Sequence, residues 1–530
     1  MADVPVENHS QLRRAVGPWG SYTWGYADVG ADIYVALGLV IASAAGLANV
    51  AFLFAGLVYV CVGLAYTELA SMYPLAGGGQ FFVMRGLGDF WGFVAGWAVL
   101  LDFTIDIALF AYFSAGYFDH FVPQLSRPPW IIIESMVLVL ALLGLNIVGV
   151  RESSRLNEIV SAVDIATESL LIFVGFFFAF DPGLYQHQVL DFITHFDTSR
   201  LLFGTSLAII SFVGLESIAQ ASQETIRPTT VVPRTSIALI LTILAYALAL
   251  SNLSLGLVHW QTFDPSSTQP QFCHGLQHAA CSAEHLAHQN APVAWVALHL
   301  PLIGQVIAPM IAILGGVLLL ISSNAGVYGS SRIMYSMAVN DLTPKIFTRV
   351  HPRFQTPVIS LVLFAVIALA ELVFSGLTPD AATTLGDLYA FGAASSYSLV
   401  FISLLTLRFT DHETPRTFRM PWNVSVRRNG VPSDVPIVGV LGLLGILSVL
   451  VATVLTHPIG RIAGPVWIGL GLVAYFLYRR KRRLPFPGSA PRDWPSQQLA
   501  AYMESGETEI AEEYRRALRR AQAKIRTAPP

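Results

Sequence analysis

Charge is scarce in this sequence. Asp, Glu, Lys and Arg together make up 12% of 530 residues, against 54% for the apolar types. Soluble domains carry about 25% charged residues, so a water-soluble globular fold is excluded and a chain that crosses a membrane many times is indicated. Cysteine is nearly absent, with three residues in all, which excludes a disulfide-built scaffold. Cys61 falls in an apolar run and reads as a packing residue. Cys273 and Cys281 share the polar stretch "CHGLQHAAC", where oxidising surroundings can join them, so a disulfide and two free thiols are both open readings. His274, His278, His285 and His288 crowd the same stretch. A solvated polar loop accounts for them, and no metal site is expected. The patterns of catalysis are missing as well: no phosphate-cradling loop, no nucleophile elbow and no metal-ligand motif inside the apolar runs. "GGGQ" (Gly77 to Gln80) lacks the lysine of a phosphate loop. The chain is therefore not expected to be an enzyme or to hold a cofactor. Nor does it open with the basic start and short apolar core of a cleavable signal peptide.

Long apolar runs are what the sequence has in abundance. A helical crossing takes about 20 residues, and twelve runs qualify: 26–48, 50–72, 91–117, 131–150, 159–180, 201–221, 236–258, 295–323, 357–376, 384–407, 436–456 and 463–478. An all-α polytopic membrane protein follows, with an N-terminal segment (1–25), a twelve-helix domain (26–480) and a tail (481–530). With the N-terminus inside, thirteen loop Lys and Arg residues fall on the inner side, among them Arg85, Arg227, Arg408 and Arg416. Only Arg127, Arg200 and Arg461 fall outside, and "RRKRR" (Arg479 to Arg483) closes the last run on the inside. That bias places both termini in the cytoplasm of a cell-membrane protein. The tail opens with a proline-rich linker, "LPFPGSAPRDWPS". Then "ETEIAEEYRRALRRAQAK" puts acids first and bases last, as a helix favours. It predicts one short helix, solvated or lying along the membrane. Its acids balance its arginines, so no nucleic-acid partner is expected.

Two tetrapeptides echo each other. "VGAD" (Val29 to Asp32) lies in the first run and "VGLE" (Val213 to Glu216) in the sixth. Transporters built from inverted repeats carry interrupted helices at corresponding places in their halves. Glycine weakens a helix, and an interruption at membrane depth is tolerated only where it faces protein or a wet cavity. Unwinding at Gly30 and Gly214 would expose N–H groups on one side and carbonyls on the other, receiving anions and cations respectively. Close helix packing is the ordinary use of such glycines, but the neighbouring acids argue against it. Asp28, Asp32, Glu68, Asp102, Asp106, Glu134, Asp164, Glu168, Glu216 and Asp387 all fall within apolar runs. Intramembrane acids mark pathways and relays. Asp102 and Asp106 share one helix face, as do Asp164 and Glu168. No base stands at mid-depth to pair with them, which suits a proton relay or a cation site.

Several stretches resemble the amino acid–polyamine–organocation (APC) superfamily of permeases. They are "AYTELASMYPLAGGGQFFVMRGLG", "SFVGLESIAQASQETIRPTTVVPRTS", "SSNAGVYGSSRIMYSMAVNDLTPKIFTRVHPRFQTP" and "PRTFRMP". The resemblance covers roughly residues 20 to 480. It implies a LeuT-like core of five plus five inverted-repeat helices with two added. It also implies that Gly30, Ala31 and Asp32 match the helix 1 break that receives a substrate carboxylate. Ser211, Phe212, Val213 and Gly214 match the helix 6 positions that take the amino group, and Glu216 an acid of many members. Asp164 stands where proton-coupled members often carry a lysine. Asp32 replaces a glycine; ionised, it repels a substrate carboxylate by roughly 4 kcal/mol at about 4 Å and a dielectric near 20. Protonated, it donates a hydrogen bond, and its titration couples transport to protons.

The expected function is a secondary active transporter importing an amino acid or related amine by alternating access, with a proton as coupling ion. Substrate-site residues are Gly30, Ala31, Asp32, Ser211, Phe212, Val213 and Gly214. The coupling candidates are Asp28, Asp32, Asp102, Asp106, Asp164 and Glu216. Partners are the small-molecule solute and the lipid bilayer. "YADVG" (Tyr26 to Gly30) also resembles the "YGDIG" of Kup-type potassium permeases, with Asp28 matching the aspartate, so proton-coupled potassium uptake is the alternative on the same fold. A transport-inactive sensor signalling through the tail is the alternative of another class.

Overall fold

The computed structural model describes residues 16–75, 77–148, 154–194, 198–214, 216–220, 225–259, 290–378, 381–428, 431–457, 459–486 and 488–527. The Cys273 and Cys281 pair and the four histidines of that loop lie outside the described residues. Among the described residues, twelve helices are long and apolar enough to cross a membrane. They are helix 1 (Pro18–Ala44), helix 2 (Ala48–Met72), helix 3 (Asp89–Phe118), helix 4 (Trp130–Val148), helix 5 (Asn157–Ala179) and helix 6 (Thr198–Ala219). Helix 7 (Pro228–Leu257), helix 8 (Gly304–Val339), helix 9 (Val358–Gly376), helix 10 (Ala381–Thr410), helix 11 (Ile437–Thr456) and helix 12 (Gly460–Arg482) complete the bundle.

Helices 1 and 3 form its centre: 89% of the most apolar stretch of each is buried, against 22% for helix 12 at the edge. Helix 3 packs most extensively against helices 8 and 10, and helix 2 against helix 7. Glycine permits the closest approaches. A Cβ at Gly326 of helix 8 would meet Asp106 Oδ2 at 2.8 Å, and one at Gly392 of helix 10 would meet the Asp102 backbone nitrogen at 3.1 Å. Small residues serve this purpose in membranes, where backbone proximity replaces a hydrophobic drive between helices. Helix 12 is fixed on helix 3 by a reciprocal tryptophan joint. Trp97 donates to the Trp467 carbonyl at 2.9 Å and Trp467 to the Trp97 carbonyl at 2.8 Å, with the rings stacked at 4.9 Å.

Helix 8 departs from the sequence expectation of 295–323. The apolar stretch before it is a separate short helix (Pro292–Leu298), and the crossing helix continues to Val339. Its second half, "SSNAGVYGSSRIMYSMAV", is less apolar than the first yet largely buried, because its glycines pack closely and its hydroxyls bond within the helix, as at Ser330 and Ser331, or to neighbouring helices, as at Ser322 and Ser323. Helix 1 likewise begins at Pro18 rather than near residue 26, with proline in its first turn.

A hairpin of β1 (Asn423–Arg428) and β2 (Val431–Pro436), paired from Asn423 against Pro436, separates helices 10 and 11. The alternation of "VSVRR" and the Asn-Gly that follows carried that signal in the sequence. The tail holds two helices, Trp494–Glu504 and Thr508–Thr527, rather than one. The second sets Ala511 and Tyr514 against Tyr502 of the first, so its apolar face is spent within the protein. Both are strapped across one end of the bundle. Tyr502 donates to the Met72 carbonyl at 2.6 Å, and Glu507 accepts from the Thr229 amide at 3.0 Å. Asp89, fully buried, pairs with Arg479 and Arg492.

Candidate functional site

Helices 1 and 6 interrupt differently. In helix 1, Gly30–Asp32 tightens into a 3₁₀ turn without unwinding: Gly30 keeps φ −66° and ψ −30°. The expected break at Gly30 is therefore a change of pitch, since Ala31 and Asp32 both accept right-handed helical dihedrals. In helix 6 the chain does break. A 3₁₀ turn (Ile209–Phe212) ends in extended Val213 (φ −94°, ψ 157°), followed by Gly214 at φ +108°, a conformation other residues adopt only under strain. The 3₁₀ turn of helix 1 packs against that of helix 6 and against helix 8. A helix that stops at Phe212 leaves its last carbonyls without intrahelical partners, which gives the junction cation-favouring character.

Asp28 sits in the crook of this break. Its Oδ2 accepts from the Ser217 hydroxyl, the Ser322 hydroxyl lies 3.3 Å from Oδ1, and a Cβ on Gly214 would come within 2.9 Å of Oδ2. One carboxylate thus ties together helices 1, 6 and 8. Asp32 is buried in the adjacent 3₁₀ turn. On helix 3, Asp106 Oδ1 lies 3.3 Å from the Tyr389 hydroxyl of helix 10 and its other oxygen beside Gly326 of helix 8, while Asp102 sits against Gly392 of helix 10. Two of the coupling candidates, Asp28 and Asp106, therefore meet helix 8 one turn apart, at Ser322 and Gly326. Ser211 is fully buried, with no hydrogen-bond partner for its hydroxyl among the described residues. Phe212 stacks on Tyr59 at 5.1 Å.

Asp164 is held apart from this group. Tyr26 and Tyr34 of helix 1 donate to its two oxygens at 2.8 and 2.6 Å, and the Tyr26 hydroxyl also lies 3.1 Å from Glu168 Oε2. Tyr117 donates to the Tyr34 carbonyl and accepts from the Val293 amide. This second cluster fixes helix 5 against helix 1 through hydroxyls that the sequence showed only as aromatics. Leu215 and the side chain of Glu216 lie outside the described residues.

Glu68 is a correction. The sequence placed it among acids without a basic partner, but Arg408 meets its Oε2 at 2.6 Å, Arg416 Nε lies 3.5 Å from Oε1, and the Met420 amide donates to Oε2. Helix 10 and the chain after it fold back over the end of helix 2, so both bases reach an acid more than three hundred positions earlier. Asp387 is likewise engaged: its Oδ1 meets His457 Nδ1, whose Nε2 lies 2.5 Å from Ser206 Oγ, joining helices 10, 11 and 6. Sequence reasoning missed His457, whose only signal was a polar residue just past an apolar run. It also missed Glu371 of helix 9, which accepts from Thr104 at 2.9 Å and was legible as an acid inside a predicted span.

Comparison with known proteins fits this architecture. The family model described as amino acid permease matches residues 22–477. The branched-chain amino acid permease BcaP of Bacillus subtilis is 24% identical over 90% of this chain and 95% of its own length. Cationic amino acid transporter 4 of Mus musculus is 28% identical over 78% of this chain and 63% of its own length. A methylthioribose transporter of Bacillus subtilis is 23% identical over 86% of this chain and 91% of its own. With twelve membrane-spanning helices and a match along nearly the whole bundle, the chain belongs to the amino acid permease family of the APC superfamily, and it is a multi-pass membrane transporter rather than an enzyme.

Proposed function

We propose that this protein carries an amino acid or a related amine across the cell membrane by alternating access, coupled to protons, with both termini in the cytoplasm. The observation that carries the reading is the meeting of the 3₁₀ turns of helices 1 and 6 at helix 8, where Asp28 engages Ser217 and Ser322 and Asp106 stands one turn further along helix 8 at Gly326. Relatives named for branched-chain and for cationic amino acids support an amino acid substrate. The acids add a preference: a concentration of carboxylates attracts an ammonium group and offers sites for a proton. Asp32, beside the helix 6 break, is protonated when a substrate carboxylate is present and ionised when it is not. That alternation ties the two movements together. A core of five plus five helices, with helices 1 and 6 as the paired interrupted elements, supplies the two access states. The basic inner loops support the orientation.

The test is reconstitution into liposomes holding a pH-sensitive dye, with leucine, lysine, a polyamine and potassium offered in turn. An amino acid that enters together with protons, and an Asp32→Asn variant that still binds it but no longer acidifies the lumen, is the expected result. Uptake of potassium alone, or unchanged proton movement in Asp32→Asn, overturns the reading.

A further inference from the structure

Helix 12 and the chain that follows it enclose an apolar groove of about 330 Å³. It is walled by Phe90 of helix 3, by Leu472, Val473, Phe476 and Leu477 of helix 12, and by Phe486 of the tail linker. That is room for roughly ten methylene-sized groups, taking each as about the ~30 Å³ of a water molecule. The groove faces outward from the bundle: Val473, Phe476 and Leu477 are 59%, 44% and 58% exposed. Phe476 and Leu477 recur one helical turn after Leu472 and Val473. One turn further, at the same spacing, stand Arg480 and Lys481.

The apolar wall therefore runs along one helix face directly into two exposed bases. Arg479, beside them, is committed inward. It donates to the carbonyls of Pro485 and Gly488 and pairs with Asp89, which holds the linker in place. Phe486 on that linker packs against Phe90 at 6.0 Å and Phe476 at 5.5 Å, closing the groove's far side. Arg480 and Lys481 form no ion pair among the described residues.

We propose that this groove is a binding site for an anionic phospholipid of the surrounding bilayer. One acyl chain lies along Leu472, Phe476 and Leu477 against Phe486, and the phosphate headgroup is held by Arg480 and Lys481. The ligand must be apolar along its length and anionic at its end, because the site is apolar along its length and cationic at its end. Bases near a membrane surface attract anionic headgroups, and the buried chain adds hydrophobic binding. By filling the space under Phe486, the lipid also braces the start of the tail strap.

The full-length protein in a neutral detergent is titrated with phosphatidylglycerol, with phosphatidylcholine of the same chains as the comparison. Retained lipid is counted by native mass spectrometry and stability is followed as Tm. One saturable phosphatidylglycerol with a raised Tm is expected, and phosphatidylcholine gives neither. Arg480→Gln with Lys481→Gln weakens binding about thirtyfold, from roughly 1 kcal/mol per base at 1.4 kcal/mol per tenfold. Leu477→Trp fills the groove and abolishes binding without changing charge. Arg519→Gln with Arg520→Gln, which removes the same charge from the exposed face of the last helix, leaves binding as in the wild type. Equal weakening by that control pair, equal binding of phosphatidylcholine, or indifference to both groove variants overturns the proposal. All the substituted residues are exposed, and the charge variants carry the test if Leu477→Trp fails to fold.

Discussion

Gly30 and Gly214 look alike in the sequence, each second in a Val-Gly-X-acid tetrapeptide, yet alanine is expected to be tolerated at the first and damaging at the second. At Gly214 the backbone sits at φ +108°, and a Cβ would stand 2.9 Å from Asp28 Oδ2. The conformational strain alone is about 1–3 kcal/mol. The contact then pushes the carboxylate away from Ser217 and Ser322, the hydroxyls that tie helices 6 and 8 to helix 1. At Gly30 the dihedrals are those of an ordinary helix. Alanine there gains up to about 1 kcal/mol of helix propensity, offset by a shift of the Tyr26 ring, whose nearest atoms lie 3.0 Å from the added carbon. Gly214→Ala is thus expected to lower Tm by several degrees and to cut initial uptake in liposomes about tenfold or more, since each ~1.4 kcal/mol at the barrier is tenfold in rate. Gly30→Ala is expected to stay within about 1 kcal/mol of the wild type in stability and to transport. Both quantities are measured on the same purified preparations, by thermal denaturation in detergent and by uptake of labelled amino acid. If Gly30→Ala proves as damaging as Gly214→Ala, or Gly214→Ala is silent in both assays, the asymmetry drawn between the two helices is wrong.

Arg408→Met removes the nearer of two guanidiniums on buried Glu68 and is expected to destabilise by about 3 kcal/mol, and adding Glu68→Gln does not recover that loss, because the largely buried Arg416 side chain then loses its carboxylate as well; a thermal-denaturation cycle reads both. Asp89→Asn removes the shared acid of Arg479 and Arg492, so the linker at 484–493 becomes cleavable by added protease in a protein whose bundle still melts cooperatively. Asp119, just past the end of helix 3, has its carboxyl raised from 3.8 to about 7, first by burial and then by the neighbouring Glu134. A raised carboxyl stabilises the fold fully below its unfolded value, and that contribution is lost as pH rises through about 7. Tm should therefore fall between about pH 4 and pH 7 by an amount that Asp119→Asn abolishes, and an unchanged profile in the variant refutes the assignment.

Membrane insertion, the number of crossings and most of their limits were legible in the sequence, because a bilayer imposes a fixed length and a hydropathy so distinct that one-dimensional averaging detects it. The second half of helix 8 escaped that reading: its serines and glycines lower hydropathy, yet they are what lets helix 3 come close. Candidate acids were legible for the same reason, since a carboxyl in an apolar run is conspicuous. Their fates were not. Asp28 and Asp106 meet helix 8 one turn apart; Asp164 is capped by two tyrosines; Glu68 is neutralised by arginines from the far end of the chain. Nothing local separates these cases, because a side chain's partner is set by which helix the bundle places beside it. Composition and periodicity determined that this is a twelve-helix membrane protein with acids in its interior. Only the tertiary structure decided which acids are paired, which share a site, and which of two identical-looking glycines must be glycine. Pairing and backbone strain depend on contacts between residues that the chain itself keeps hundreds of positions apart.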